Sequence, residues 1–130
     1  MMKFSLLTPH KKLVEGETVD EVFAPGVKGT LNILPNHANF ATSLETGLIK
    51  WHTASGWTTA TISQGLLEIF DQKITVLADV SELASDIDLA RAKAAKSRAE
   101  LKIEDGGLDD INFKKYQLKI QRAATRMSAV

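Results

Sequence analysis

Four arginines in the last third of the chain have the residue type and the spacing to bind an anion. Arg91 and Arg98 are seven residues apart, and Arg122 and Arg126 are four apart. In a helix both spacings place the paired side chains on one face. A guanidinium can donate two hydrogen bonds at once to a phosphate or a carboxylate. If the two faces meet, up to four guanidiniums can surround one anion.

The charge distribution also indicates an anionic partner for this part of the chain. The formal net charge is zero, but residues 1–86 carry six Lys/Arg and ten Asp/Glu, whereas residues 87–130 carry ten and six. From Ile111 to the end there are five basic residues and no acidic one. Such a segment suits an acidic protein surface, a nucleotide or a nucleic acid. A solvated basic face is the alternative interpretation.

No group of residues has the pattern of a catalytic or metal site. The glycines of residues 26–30 lack the spacer and the Gly-Lys-Ser/Thr ending of a phosphate-binding P-loop. The three histidines are scattered, which argues against a metal site, and neither Ser63 nor Ser81 stands in a nucleophile elbow. Because there is no cysteine, disulfides and thiolate sites are excluded. The sequence therefore predicts no enzymatic activity, no metal and no obligatory cofactor.

The elements that position these side chains divide the chain into two parts. Over residues 1–84, short segments with strand character are separated by turn signals at Pro25-Gly26, Pro35-Asn36, Ala54-Ser55-Gly56 and Asp71-Gln72. No strand-like segment alternates with a helical one, so a parallel α/β sheet is disfavoured. This part is typical of an antiparallel β-sandwich or barrel.

Residues 85–130 instead have a helical period. Ser85-Asp86-Ile87-Asp88 resembles a capping box, the following segment is rich in good helix formers, and Asp105-Gly106-Gly107 ends it. Asp109 or Asp110 can cap a second helix, so the two helices form an antiparallel hairpin. Short helices depend on packing for their stability. We therefore expect the hairpin to leave the sandwich at a low cost in free energy.

The order of the sequence motifs resembles that of the epsilon subunits of bacterial F-type (rotary) ATP synthases. Residues 29–38 are similar to the GxLxILPxHA segment of that family, and residues 63–68 with 74–79 are similar to its SGGFLEV and VTVLAD hairpin. Residues 87–95 and 113–128 resemble parts of its two C-terminal helices. The resemblance runs from end to end of the chain.

This resemblance implies an α+β fold. An N-terminal antiparallel β-sandwich of about ten strands, residues 1–84, binds the stalk, and a C-terminal antiparallel α-helical hairpin, residues 85–130, is regulatory. The resemblance also implies a non-catalytic subunit that couples proton flow to ATP synthesis together with the gamma subunit and the c-ring. By the same resemblance, the mobile hairpin is expected to extend toward the catalytic alpha and beta subunits and to inhibit ATP hydrolysis.

The expected location is peripheral, at the cytoplasmic face of the bacterial inner membrane, and it is reached only through the complex. No apolar run approaches the length of about 20 residues that spans a bilayer. The first residues are also too few and too polar for a secretory signal.

Some bacterial members of this family bind ATP on the folded hairpin through an I/L-D-x-x-R-A motif. Here the motif is Ile87-Asp88-x-x-Arg91-Ala92. The resemblance implies ATP as a regulatory ligand, with Ile87 against the adenine, Glu82 or Asp88 accepting from the adenine amino group or the ribose, and arginines on the phosphates. The implied binding residues are Glu82, Ile87, Asp88, Arg91, Ala92, Arg98, Arg122 and Arg126.

Other interpretations remain open at this point. Asp88 and Arg91 can form a simple surface pair, and the arginines can serve acidic residues of the beta subunit when the hairpin extends. The chain can also be a stand-alone ATP-sensing module without a stalk partner. A nucleic-acid binder is disfavoured, because the chain is neutral and lacks a recognition motif.

Overall fold

The computed structural model describes residues 1–130 and has the predicted α+β architecture. The elements, in chain order, are β1 (Met2–Leu7), β2 (Lys12–Val19), β3 (Glu21–Gly26), β4 (Gly29–Ile33), β5 (Phe40–Leu44), β6 (Gly47–Thr53), β7 (Gly56–Phe70), β8 (Lys73–Leu83), a 3-10 turn (Ala84–Asp86), α1 (Leu89–Glu104) and α2 (Asp110–Ala129).

The strands form one continuous sheet that folds into the two layers of a sandwich. The order is β2-β1-β8-β7-β5-β3-β4, and β6 pairs with both β3 and β7. The first half of β7 pairs with β6 and its second half pairs with β5. Between the halves, Gln64 has a positive φ of 59° and interrupts the ladder to β8. The chain bends there and passes from one layer to the other.

The strand count is eight, not the ten expected from the sequence. One reason is that residues 57–62 and 66–70 both belong to a single strand, β7, which is 15 residues long. The sandwich is antiparallel as expected except at one pair of strands, because β1 pairs with β8 in parallel. These two strands are distant in the sequence, so no hairpin turn fixes their relative direction.

A core of 18 buried apolar residues lies between the layers. Alternation along the strands supplies them, as in β1, where Phe4 and Leu6 are fully buried. Phe4 also packs against the buried Trp51 with ring centroids 4.9 Å apart. All 18 residues belong to the strands, since the last of them in the chain is Ala78. The helices therefore contribute nothing to this cluster.

The helical hairpin begins later than the sequence suggested. Residues 84–86 form a 3-10 turn, which places Ser85 inside the turn. The cap of α1 is therefore Asp88, whose carboxylate accepts a hydrogen bond from the backbone N–H of Arg91 at 3.1 Å. Asp109 caps α2 as expected, by accepting from the N–H of Asn112 at 2.8 Å. Neither helix combines the length and the apolar character needed to cross a membrane.

Helix α2 lies against the outer surface of β6 and β7, while α1 packs mainly on α2. Along β7, residues 60–63 are consequently buried on both sides. Ala60 and Ile62 point into the core, whereas Thr61 and Ser63 lie on the face that the hairpin covers. Small residues, Ala92, Ala99 and Ala123, are the fully buried members of the helices.

Candidate functional site

A pocket of about 260 Å³ lies where the hairpin joins the sandwich. Six of the eight residues predicted to bind ATP line it, together with one that was not predicted. The lining residues are Glu82, Asp86, Ile87, Asp88, Arg91, Ala92 and Arg126. Its volume is slightly below the range of about 300–1,000 Å³ for small-molecule sites. It can enclose part of a nucleotide, and the remainder would lie along the surface.

Three consecutive parts of the chain and one distant helix build this pocket. Glu82 comes from the end of β8, Asp86 from the 3-10 turn, and Arg91 from the first turn of α1. Arg126 reaches the pocket from the last part of α2. The N-terminus of α1 therefore faces the pocket, and unpaired N–H groups with the positive end of the helix dipole favour an anionic ligand there.

One ion pair connects the two sides of the pocket. The Nε of Arg126 lies 2.5 Å from a carboxylate oxygen of Glu82, and both side chains are about one-third exposed. Because a guanidinium has five N–H donors, this contact leaves Nη donors of Arg126 for a ligand. The side chain of Arg91 makes no ion pair or hydrogen bond within the chain.

The pocket contains both acceptors and cations. Glu82, Asp86 and Asp88 supply carboxylates, while Arg91 and Arg126 supply guanidiniums. Carboxylates bind hydroxyl and amino groups, and guanidiniums bind phosphates. A nucleoside phosphate carries both kinds of group, so the lining residues fit the ligand that the motif implies.

The structure does not bring all four predicted arginines together. Arg122 lies beside Arg126 on α2, but its Nε donates to the hydroxyl of Ser63 at 2.5 Å. Arg98 lines a different pocket, with Tyr116 and Lys119 among its neighbours. Two guanidiniums line the pocket, and the arrangement of four around one anion is not present.

Sequence reasoning missed two residues at this junction. Asp86 lines the pocket but had been assigned only to a capping box. Ser63 has no role in the predicted site, yet it is 4% exposed and its hydroxyl accepts a hydrogen bond from Arg122 of the hairpin. The available signal was the alternation of hydroxyl residues at Thr59, Thr61 and Ser63, which marks a polar outer face of β7.

Comparisons with known proteins cover the whole chain. Residues 1–84 match the family described as "ATP synthase, Delta/Epsilon chain, beta-sandwich domain", and residues 85–130 match the "long alpha-helix domain" of the same chain. The ATP synthase epsilon chain of Geobacter metallireducens is 38% identical over 126 residues, which is 97% of this chain and 91% of that one. The chain belongs to the epsilon-chain family of F-type ATP synthases. Members of this family are subunits of the complex, and they are not its catalytic subunit.

Two solved structures have the same fold as this epsilon-family chain. A chain of the Euglena gracilis mitochondrial ATP synthase (OSCP/F1/c-ring) matches with a TM-score of 0.84 and 15% identity over 98% of this chain and 80% of that one. A chain of the Tetrahymena thermophila mitochondrial ATP synthase central stalk and c-ring matches with a TM-score of 0.62 and 15% identity, covering 98% and 95%. At this identity the similarity shows the fold.

Proposed function

We propose that the chain is a non-catalytic subunit of the central stalk in a bacterial ATP synthase. With the gamma subunit and the c-ring it couples ion flow to ATP synthesis, at the cytoplasmic face of the membrane. Its hairpin contacts the alpha and beta subunits when extended and inhibits ATP hydrolysis. ATP, as a regulatory ligand, holds the hairpin on the sandwich. Family membership over the full length favours this function over a stand-alone ATP sensor.

The observation that carries the regulatory part is the position of the 260 Å³ pocket. Glu82 belongs to the sandwich, whereas Arg91 and Arg126 belong to the two helices of the hairpin. A ligand that contacts all three binds only while the hairpin is docked. A ligand at about 100 times its dissociation constant stabilises the state it binds by roughly 2.7 kcal/mol. That is enough to reverse a marginal docking equilibrium.

The surface for the stalk is proposed on the other layer of the sandwich. Leu7, Leu77 and Leu66 lie side by side on three adjacent strands, because Leu77 is opposite Leu7 on β1 and opposite Leu66 on β7. Leu66 and Leu77 are 57% and 51% exposed. A row of adjacent leucines, with Leu7 partly buried and the other two exposed, marks an interaction surface. We assign the gamma subunit to this leucine ridge, since the hairpin occupies the outer face of β6 and the first half of β7.

Truncation after Asp86 tests the division of roles. The 18-residue core lies entirely in the strands, so the sandwich should fold, bind gamma and restore a complex from which the native chain has been removed. Inhibition of ATP hydrolysis should be lost in the restored complex. Hydrolysis rates and co-purification with gamma, measured beside the full chain, give the two readouts. A truncated chain that folds but fails to bind gamma contradicts the assignment of the sandwich to the stalk.

A further inference from the structure

The surface of the sandwich on which α2 docks, called here the seat of the hairpin, is polar. Between α2 and the strands there is a cavity of only about 10 Å³, lined mostly by hydroxyl and charged side chains. The lining residues are Thr46, Thr61, Ile62, Ser63, Val80, Glu82, Arg122, Thr125 and Arg126. Exposure of such a surface costs little hydrophobic free energy. Specific polar contacts must therefore decide where the hairpin docks.

Two arginine contacts hold α2 at this seat. Arg126 bonds to Glu82 at the rim of the 260 Å³ pocket. One helical turn earlier, Arg122 donates a hydrogen bond to the hydroxyl of Ser63, a residue that is 4% exposed and lies in the segment of β7 that is buried on both sides. A movement of α2 by one turn would bring Leu118 or Arg126 to Ser63. With Arg126 at Ser63, Glu82 would lose its partner, so the two arginine contacts together fix the register of the helix on β7.

We propose that Ser63 and Arg122 form a nucleotide-independent latch for the hairpin, and that Arg122 is a docking residue and not a phosphate ligand. Arg122 does not line the 260 Å³ pocket, and its Nε is directed to Ser63. The inference rests on the proposed mobile hairpin but not on ATP binding. Within α2, Arg122 positions the helix, while Arg126 also faces the nucleotide pocket.

The test measures the position of the hairpin without ATP in the full-length chain. Since the chain has no cysteine, Ser55→Cys and Gln117→Cys, both at exposed positions, introduce one spin-label pair across the sandwich and α2. Double electron–electron resonance then gives the ratio of docked to undocked molecules. Ser63→Ala, Arg122→Ala and the double variant form a double-mutant cycle. Thr59→Val is the control, since it removes a hydroxyl from the same face of β7 outside the small cavity.

The latch predicts that Ser63→Ala and Arg122→Ala each lower the docked-to-undocked ratio by about tenfold, as expected for a lost hydrogen bond to a charged group. The double variant should be no worse than either single variant. Thr59→Val should leave the ratio unchanged. Additive effects in the double variant, or an unchanged ratio in Ser63→Ala, would overturn the proposal.

Titration of the same variants with ATP separates a latch from a phosphate ligand. With a latch, Ser63→Ala and Arg122→Ala weaken the apparent ATP affinity only by the factor by which each lowers the docked fraction. If Arg122 instead binds phosphate, Arg122→Ala weakens the ATP affinity by more than that factor, whereas Ser63→Ala does not. This result would contradict the proposal. If ATP binds none of the proteins, including the parent chain, the proposed role of ATP as a regulatory ligand fails. The cycle without ATP still decides the latch.

Discussion

At the scale of single residues, the hairpin arginines differ in what they contact. Arg126 bonds to Glu82 and Arg122 bonds to Ser63, whereas the Arg91 side chain has no partner in the chain although it lines the 260 Å³ pocket. Arg91 is thus the arginine with the most donors available to a phosphate. It also follows the N-cap Asp88, so its position is fixed by the start of α1.

Arg91→Ala should weaken ATP binding by at least about tenfold, since a charge-assisted hydrogen bond to phosphate is lost. Arg126→Ala should weaken it similarly but also remove the pair with Glu82. Isothermal titration calorimetry of the isolated chain gives the affinities. Lys93→Ala is the matched control, because it removes a cation from α1 that does not line the pocket.

Arg98→Ala decides how far the nucleotide site extends. The sequence motif predicts that this variant also loses ATP, whereas the structure places Arg98 at another pocket. Loss of binding would mean that the triphosphate reaches beyond the 260 Å³ pocket along α1. If calorimetry detects no binding of millimolar ATP to the parent chain, the arginines would instead be assigned to contacts with partner subunits.

At the scale of elements, the bend of β7 depends on a glycine. A Cβ at Gly65 would lie 2.4 Å from the carbonyl oxygen of Leu77 and 3.2 Å from the Cα of Ala78. Both atoms belong to the backbone of β8, so neither can move without separating the two strands. The preceding Gln64 has a left-handed φ of 59°. Together these residues let one strand serve both layers.

Gly65→Ala should therefore destabilise the sandwich by about 1–3 kcal/mol, the usual cost of overpacking. Urea unfolding followed by tryptophan fluorescence measures the effect, since Trp51 is buried in the core. Gln64→Gly is the neighbouring control and should not destabilise, because glycine adopts a positive φ without steric cost. Equal stability of Gly65→Ala and the parent chain would show that β8 shifts freely at this point.

At the scale of the whole molecule, the two layers present different surfaces. The layer with β6 and the first half of β7 carries the hairpin on a polar seat. The layer with β1 carries the leucine ridge. Under the proposed function, this separation would let the hairpin move while the ridge stays bound to the gamma subunit.

The double variant Leu66→Ser with Leu77→Ser should weaken gamma binding by at least about tenfold, because central apolar contacts dominate interface energies. The fold should persist, since both leucines are exposed by more than half. Co-purification with gamma and circular dichroism are the measurements. Leu101→Ser with Ile111→Ser removes exposed apolar residues of the hairpin as a control. Unchanged gamma binding in the ridge variant would place the stalk on another face.

The sequence by itself determined the division into strands and helices and several of the turns, although Pro25 and Gly26, predicted as a turn, belong to β3. Asp71-Gln72 forms its tight turn with two positive φ values, and Gly106-Gly107 ends α1 as expected. These features depend on local backbone preferences, which neighbouring residues encode. Six residues of the 260 Å³ pocket belong to the set that the family motif implied, and most of them lie within one short segment at the start of α1.

Only the tertiary structure decided what distant segments do to each other. The parallel pairing of β1 with β8, the bend at Gln64 and the shift of the cap to Asp88 depend on how the layers close. The contact of Arg122 with Ser63 joins residues 59 positions apart. Sequence spacing could show that Arg122 and Arg126 share a helix face, but not which side chain each of them meets. That depends on the docking of α2 on β7, a long-range contact that no local pattern encodes.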